Sequence, residues 1–513
     1  MNNLLYWQEC VGLPLLSLLG FLPLIGSGFL FMVRPSLRLG LALAVACVNL
    51  VLCAYLLMSF VTDSSSIQMV ETFEVGGFEY RVGVDGMNVL FLPLTAILGF
   101  LALIYTSITR HKNDYVFIAC LLAYQGILMG AFVALNTLQF WFWSAMELIP
   151  VVILTLSAGT GVLRNRVIRV VLQYWLFGLL MSLAGFLILS IGLQVEANAL
   201  SFDWIYLRQH DLAIQHEALI FILLFFAFSI RMPLFPFHAW LPVLAEHGTA
   251  ASVAIFITGL KLGIYAVIRF ILPLVPAAAE QWELFVISLG LMAIFYGALL
   301  ALMQINIRRL MAFAVVSQTG MLIIGVFSFN DFALEGSILL SIAYGLATAG
   351  MLFSIGLIYE RTRTSYLPRL GALFDTNTTI ALLFMMSALS TMVMPGTPGF
   401  DAAHLLIEGS IEEHGWLIAI AILLGNVIAA GFLLWAFQRL FITEQRRAIK
   451  PASSIHHPVI QERVIAGVIC GILLATGFYT TPWLRFIDQE ASEIGERYVR
   501  HHSSHTNGGH HER

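Results

Sequence analysis

Fourteen long apolar runs follow one another along this chain and decide its fold class. An α-helix needs about 20 apolar residues to cross a hydrocarbon layer about 30 Å thick. The chain has 513 residues, of which 59% are hydrophobic and 11% are charged, whereas a soluble domain carries about 25% charged residues. We therefore predict an all-α membrane protein of about 14 transmembrane helices, with little chain left for a soluble domain.

The predicted spans, numbered 1 to 14 in chain order, are 11–33, 39–61, 88–108, 115–135, 137–157, 170–192, 218–240, 249–271, 282–304, 310–329, 334–359, 379–400 (continuing to 410), 415–441 and 464–483. They divide the chain into a membrane domain, residues 1–483, and a polar, His-rich C-terminal tail, residues 484–513. We expect a translocating core at about 115–441. A His-rich tract can bind metal, but we interpret this one as a solvated, weakly ordered tail.

The distribution of basic residues gives the orientation. Seventeen of the 26 Lys and Arg residues follow odd-numbered spans, while six follow even-numbered spans or lie in the tail. Cytoplasmic loops carry an excess of Lys and Arg. The alternation therefore predicts a multi-pass protein, in a bacterial cell inner membrane, with both termini on the non-cytoplasmic side.

Two spans contain the same proline pattern. Met-Pro-x-x-Pro occurs in span 7, with Pro233 and Pro236, and again in span 12, with Pro395 and Pro398. Proline removes a backbone donor and clashes with the preceding helical turn. Interrupted helices at corresponding positions of two halves indicate inverted repeats around an ion site. The alternative is a pair of simple kinks.

Three ionisable residues stand out inside otherwise apolar spans: Glu147 in span 5, Arg231 in span 7 and Lys261 in span 8. A charge at the bilayer centre costs at least about 2.5–3.5 kcal/mol, so each must face a partner or a wet cavity. Glu147 and Arg231 have opposite signs and can pair. Lys261 has no obvious counter-ion, and burial favours the neutral form of a lysine, so it can take and release a proton. The alternative for the pair is ionic glue between helices.

The second half of span 12 adds Asp401, His404 and Glu408. Their spacings of three and four residues allow one helical face, and histidine titrates near neutrality, so the row is a candidate proton path. The alternative is a solvated row near the outer surface. His238, just after the break in span 7, is a further candidate step.

Several segments resemble the antiporter-like membrane subunits of complex I-type NADH:quinone oxidoreductases, and most closely the M subunit or chain 4 type. Mrp antiporters and membrane-bound hydrogenases contain related subunits. The resemblance rests on RMPLFPFHAWLP, HGTAASVAIFITGLKLGIYAVIRF, VGVDGMNVLFLPLTA, INIRRLMAFAVVSQTG and the segment around Glu147. It covers spans 3 to 13.

The resemblance implies two inverted five-helix repeats, spans 4–8 and 9–13, with broken helices 7 and 12. It also implies a proton path along a central polar axis, on which Glu147 and Lys261 match the family. Other positions differ: Arg231 replaces a lysine, Ala403 aligns with the usual acid of span 12, and Gln318 and Tyr344 align with histidines. An arginine does not deprotonate in proteins, so Arg231 can act only as a fixed charge.

Three functions fit these residues. The first is an ion-translocating subunit, most simply for protons, of a complex I-like assembly in the lipid bilayer. The second is an energy-coupling subunit of an inorganic-carbon uptake complex driven by a proton or sodium gradient. The third is a non-conducting scaffold. We expect no nucleic-acid partner.

Cofactor motifs are missing from this sequence. The five cysteines have no C-x-x-C spacing, and there is no G-x-G-x-x-G or P-loop. We therefore expect no cofactor, metal site or enzyme active site in this chain. Any FMN, iron–sulfur cluster or zinc of such an assembly would belong to partner subunits.

Overall fold

The structure is a computed structural model that describes residues 4–63, 66–75, 78–109, 114–158, 164–197, 201–209, 214–248, 250–443 and 459–508. Across these residues the α-helices are α1 (Trp7–Cys10), α2 (Leu15–Phe29), α3 (Arg38–Ser59), α4 (Phe91–Ile108), α5 (Tyr115–Val133), α6 (Thr137–Met146), α7 (Leu148–Ala158), α8 (Arg164–Ala197), α9 (Trp204–Arg208), α10 (Ile214–Arg231), α11 (Trp240–His247), α12 (Ala250–Ala266), α13 (Pro276–Gln281), α14 (Glu283–Leu302), α15 (Ile307–Val326), α16 (Asp331–Thr362), α17 (Thr378–Thr391), α18 (Pro398–His414), α19 (Trp416–Phe437), α20 (Ile460–Phe478), α21 (Thr481–Leu484) and α22 (Asp488–Gly508). Short 3₁₀ helices form at Pro35–Leu37 and Leu367–Arg369. Wider π-helical turns at Val267–Ile271 and Gln438–Ile442 extend α12 and α19.

About half of these helices belong to stretches that are transmembrane in length and composition. Within the described ranges, ten helical stretches are long and apolar enough to cross a membrane; they contain α3, α4, α5, α6 with α7, α8, α14, α15, α16, α19 and α20. The other four predicted spans coincide with α2, α10 with α11, α12, and α17 with α18. The all-α membrane fold is confirmed, while the count of 14 and the two inverted repeats stay predictions.

Helix starts follow local sequence. Asn or Asp side chains accept hydrogen bonds from the first backbone N–H groups of α5, α6, α9, α15 and α16. Such caps satisfy donors that a helix leaves unpaired. The helices then pack so that α5, α15 and α16 lie mostly inside the protein, while α3, α19 and α20 lie mostly at its outside.

A β-hairpin after span 2 was not predicted. Strands β1 (Gln68–Val75) and β2 (Phe78–Val84) pair antiparallel, with an irregularity between Gln68 and Glu71. Glu71 turns inward and accepts hydrogen bonds from the N–H groups of Leu16 (2.7 Å) and Ser17 (3.0 Å) at the start of α2. A carboxylate is favourable at a helix N-terminus, so the hairpin anchors this helix.

Segments that follow even-numbered spans gather on one face of the bundle, which we call the hairpin face. Arg81 in β2 pairs with Asp203 after α8 at 2.5 Å. Arg208 in α9 pairs with Glu493 in α22 at 2.7 Å. The backbone N–H of Leu5 donates a hydrogen bond to the carbonyl of Ile67, and the carbonyl of Leu5 accepts one from the N–H of Val70, both at 3.0 Å. Both ends of the described chain therefore lie on the hairpin face.

Segments that follow odd-numbered spans gather on the opposite face. Arg361 at the end of α16 pairs with Glu462 in α20 at 2.7 Å. Arg308 in α15 donates to the carbonyl of Gly248 at 2.9 Å. This division matches the alternation that the basic residues predicted.

The C-terminal tail differs from its prediction. Residues 488–508 form α22, and Ile487, Ala491, Ile494 and Tyr498 are buried against the hairpin face. The expectation of a weakly ordered tail was wrong for this segment, because an apolar stripe at helical spacing lies among its charged residues. Residues 509–513 lie outside the described residues.

Candidate functional site

Glu147 lies at the junction of α6 and α7. Its side chain is fully buried. Pro150 follows three residues later and cannot donate a backbone hydrogen bond to the previous turn, which accounts for the interruption at Glu147. The local sequence therefore places a carboxylate inside the bundle at a point where the helix is irregular.

Two side chains satisfy the Glu147 carboxylate. Arg231 Nη2 pairs with Oε2, and the hydroxyl of Tyr124 donates to Oε1. The Arg231 guanidinium also lies over the ring of Trp175, 4.3 Å from its centroid. The predicted pairing of Glu147 with Arg231 is confirmed. A charge held by an ion pair, a hydrogen bond and an aromatic face is fixed in position.

The first helix break begins directly after Arg231. Residues 232–239 leave the helical conformation and contain Pro233 and Pro236, as predicted. The carbonyl of Ile230, which this break frees, accepts a hydrogen bond from Trp240 Nε1 at 3.0 Å. Protein groups must satisfy such freed backbone atoms at membrane depth.

His238 lies within this break and is 6% exposed. Its ring packs on Phe235, Tyr296 and Phe313, with centroid distances of 5.9, 5.1 and 6.1 Å. Its Nδ1 atom is buried and has no hydrogen-bond partner among the described residues. The role of His238 in a proton path stays a prediction.

Lys261 lies near the middle of α12 and is 4% exposed. Its Nζ atom forms no ion pair or hydrogen bond with the part of the chain that the structure describes. Nζ lies 6.0 Å from the ring centroid of Tyr344, on α16. Helix α12 packs against α5 on one side and α16 on the other, so Lys261 lies where the two halves of the bundle meet.

A small cavity of about 20 Å³ begins beside Tyr344. Its lining is mostly apolar and includes the polar side chains of Ser317, Gln318, Thr391 and Asn426. Thr348 Oγ1 donates to Gln318 Oε1 at 3.3 Å. These are hydroxyl and amide groups, which can hold water but do not titrate near neutral pH.

The second helix break lies beside this cavity. Residues 392–397 are non-helical and contain Pro395, and Pro398 begins α18, as predicted. The freed carbonyl of Met392 accepts from Asn426 Nδ2 at 3.2 Å. Both breaks are therefore satisfied by a side chain of a neighbouring segment.

The structure does not bring the predicted row of span 12 together inside the bundle. His404 and Glu408 are exposed, with 4.0 Å between His404 Nε2 and Glu408 Oε2. Asp401 instead accepts a hydrogen bond from Thr480 Oγ1. The role of this row stays a prediction, since α18 turns Ala402, Ala403 and Leu406 inward instead.

Sequence reasoning missed several residues near these helices. Tyr124 was overlooked because one tyrosine is unremarkable in an apolar span. Asp85 and Arg269 form an ion pair in the interior, where the side chain of Asp85 is 1% exposed and that of Arg269 is 0% exposed. A usable signal existed for this pair, since Arg269 is a charge eight residues after Lys261 in the same apolar run.

The comparisons with known proteins agree with this arrangement. Residues 137–429 match the family model described as "NADH:quinone oxidoreductase/Mrp antiporter, TM". The chain belongs to this family. The matched range is more than half of the chain and includes Glu147, Arg231, Lys261 and Asn426. Membership implies an ion-translocating membrane subunit.

Relatives and solved structures extend the likeness over nearly the whole chain. NADH-ubiquinone oxidoreductase chain 4 of Chondrus crispus is 30% identical over 436 residues, which are 83% of this chain and 86% of that protein. A chain of respiratory complex I from Thermus thermophilus gives a TM-score of 0.85 at 25% identity, covering 94% of this chain and 99% of that chain. A chain of the Mrp complex from Dietzia sp. DQ12-45-1b shares the fold, with a TM-score of 0.82 at 19% identity and coverage of 94% and 98%. Both solved relatives are parts of complexes, which fits a chain whose partners are other subunits.

Proposed function

We propose that this chain moves protons across a membrane as one subunit of a complex I-type NADH:quinone oxidoreductase assembly. The proposal rests mainly on the buried position of Lys261. Lys261 is a buried cation without a carboxylate partner among the described residues, and its Nζ atom lies 6.0 Å from the ring centroid of Tyr344, which lines the small cavity. In this set it is the side chain that can hold a proton in one state and release it in another.

The Glu147–Arg231 pair has a different task in this proposal. Arginine stays charged, so Arg231 keeps Glu147 ionised and in place without passing a proton itself. The pair then sets the electrostatic field in which Lys261 gains or loses its proton, since charges interact strongly where water is excluded.

The route beyond Lys261 leads towards the cavity beside Tyr344. Its volume of about 20 Å³ has room for about one ordered water molecule, which Gln318, Thr391 or Asn426 can orient. This water is a candidate step beside the predicted row of Asp401, His404 and Glu408. The hairpin face would be non-cytoplasmic, in a bacterial inner membrane, because the opposite face carries most of the basic residues.

Redox cofactors would be held by partner subunits of the assembly. The identity of the partner subunits also distinguishes the proposed function from a role in inorganic-carbon uptake. Co-purification with quinone-reducing subunits in mild detergent supports the proposal, whereas co-purification with a zinc-binding partner that hydrates CO₂ contradicts it.

The translocation itself is tested with the intact assembly in proteoliposomes. We expect Lys261→Ala and Glu147→Gln to abolish the protons that this subunit contributes, measured with an internal pH-sensitive dye, while the assembly still forms. Glu360→Gln is the matched control, since Glu360 pairs with Arg363 at the surface at 2.9 Å and should pump normally. Unchanged pumping in both interior variants would refute the proposal.

A further inference from the structure

The C-terminal helix buries a carboxyl group that has no partner. Glu490 in α22 is 2% exposed. Both of its carboxyl oxygens are buried, and neither accepts a hydrogen bond from any residue that the structure describes. Burying an ionised carboxylate without partners costs several kcal/mol or more, so this position requires an explanation.

Glu490 lies beside the second buried ion pair. Asp85 follows β2 and pairs with Arg269 Nη1. The Nε and Nη2 atoms of Arg269 are also buried, and no acceptor in the described part of the chain bonds to them. One buried cluster thus contains a guanidinium with spare donors and a carboxyl with spare acceptors.

The packing at this cluster is close. A Cβ on Gly86, the residue after Asp85, would lie 3.1 Å from the Cβ of Glu490. Tyr498, two turns further along α22, donates to the carbonyl of Leu272 at 2.8 Å. The helix therefore docks over the end of α12 along about two turns.

Charges from each neighbouring element act on Glu490. The segment after β2 contributes Asp85, the π-helical turn contributes Arg269, α9 contributes Arg208, and α22 itself contributes Glu493. Burial, followed by Asp85 and Glu493, raises the pKa of Glu490 well above its usual range, while Arg208 and Arg269 act in the opposite direction.

Helix α16 also packs on α22 and adds two acids. The charge of Asp488 in α22 acts on Glu335, and Asp331 lies against Gly495. These acids add negative charge near the helix without giving Glu490 a donor.

We propose that Glu490 is a proton-binding site and that the docking of α22 on the hairpin face depends on the proton it holds. When the carboxyl loses this proton to the solution, the carboxylate leaves the cluster for water and the docking of α22 weakens.

This exchange would reach the lysine helix. Arg269 follows Lys261 by eight residues, or about two helical turns, in one continuous helical segment. Tyr265 lies between them, and its hydroxyl donates to the carbonyl of Phe132 at 2.8 Å. Local π-helical turns such as 267–271 often mark functional positions.

The direction of the pH dependence follows from linkage. A free glutamate has a pKa of about 4.3, and docking raises that of Glu490. Docking of α22 is therefore most favourable at pH values below the pKa of a free glutamate. It weakens as the pH rises from there towards the raised pKa of docked Glu490. Between the two values, one proton changes the docking equilibrium by up to about tenfold per pH unit.

The test is hydrogen–deuterium exchange of α22 amides in the intact assembly across a pH series, with an unstructured peptide of the same sequence correcting for intrinsic exchange. We expect protection of residues 488–498 to fall with rising pH in the wild type. Glu490→Gln, which mimics the protonated group, should stay protected throughout. Glu493→Gln loses the pair with Arg208 and should lower protection but keep the pH dependence.

An infrared spectrum supplies a second readout. At neutral pH, the wild-type spectrum minus the Glu490→Gln spectrum should show a band from a protonated carboxyl group. Protection that does not vary with pH in the wild type, or that varies equally in Glu490→Gln, would overturn the inference. Neither readout requires that the chain conducts protons, so failure here leaves the proposed function standing.

Discussion

At the scale of residues, the interior charges were the strongest signal in the sequence. Glu147, Arg231 and Lys261 could be found because each interrupts an apolar run, and the pairing of the first two followed from their signs. Tyr124 could not be singled out, since uncharged polar residues are common in such spans, and Gln318 was noted only because it aligns with a histidine of the family. Their importance depends on which helices meet, and this is a tertiary property.

Removal of Arg231 should destabilise the protein strongly. Arg231→Ala leaves the buried Glu147 carboxylate without its counter-charge, which typically costs about 3–5 kcal/mol. Arg231→Lys keeps the positive charge and should lower the free energy of unfolding much less. The measurement is the free energy of unfolding in detergent.

The control for this prediction is Arg363→Ala. The Arg363 side chain is 58% exposed, and an exposed pair contributes about 0–1 kcal/mol. Equal stability of Arg231→Ala and the wild type would show that the interior pair is not a structural requirement.

At the scale of elements, the sequence predicted the apolar helices and both breaks but missed the hairpin and α22. The breaks were visible because proline acts locally. The hairpin was not visible in the sequence, because its strands contain charged residues on the exposed side. Its stability comes from contacts with α2 and with the segment after α5. The apolar stripe of α22 is short and lies among acids, so composition favoured a solvated tail.

Glu71 should hold the start of α2 in place. Hydrogen bonds to a charged group contribute about 1.5–3 kcal/mol, so Glu71→Ala should speed amide exchange at Leu16 and Ser17 by about tenfold or more. Hydrogen–deuterium exchange of the purified protein measures this.

Glu74→Ala is the matched control on the same strand. Glu74 is exposed, and its removal should leave those two amides unchanged. If both variants exchange alike, the hairpin does not anchor α2 through this carboxylate.

At the scale of the whole molecule, charge alternation and tertiary contacts describe the same two faces. Ion pairs and backbone hydrogen bonds join the segments of each face, as Arg208–Glu493 does on one and Arg361–Glu462 does on the other. Between the faces lie the interior pair of Glu147 with Arg231 and the buried Lys261. The sequence predicted the alternation and these three residues, and the row of Asp401, His404 and Glu408 stays a prediction.

The central claim is that Lys261 exchanges a proton during turnover. The most direct measurement is the number of protons moved per turnover by the intact assembly carrying Lys261→Arg, which keeps the charge but does not release a proton. We predict that the intact Lys261→Arg assembly moves fewer protons per turnover than the wild type. The difference should equal the number of protons that this subunit moves. A wild-type ratio in Lys261→Arg would contradict the account.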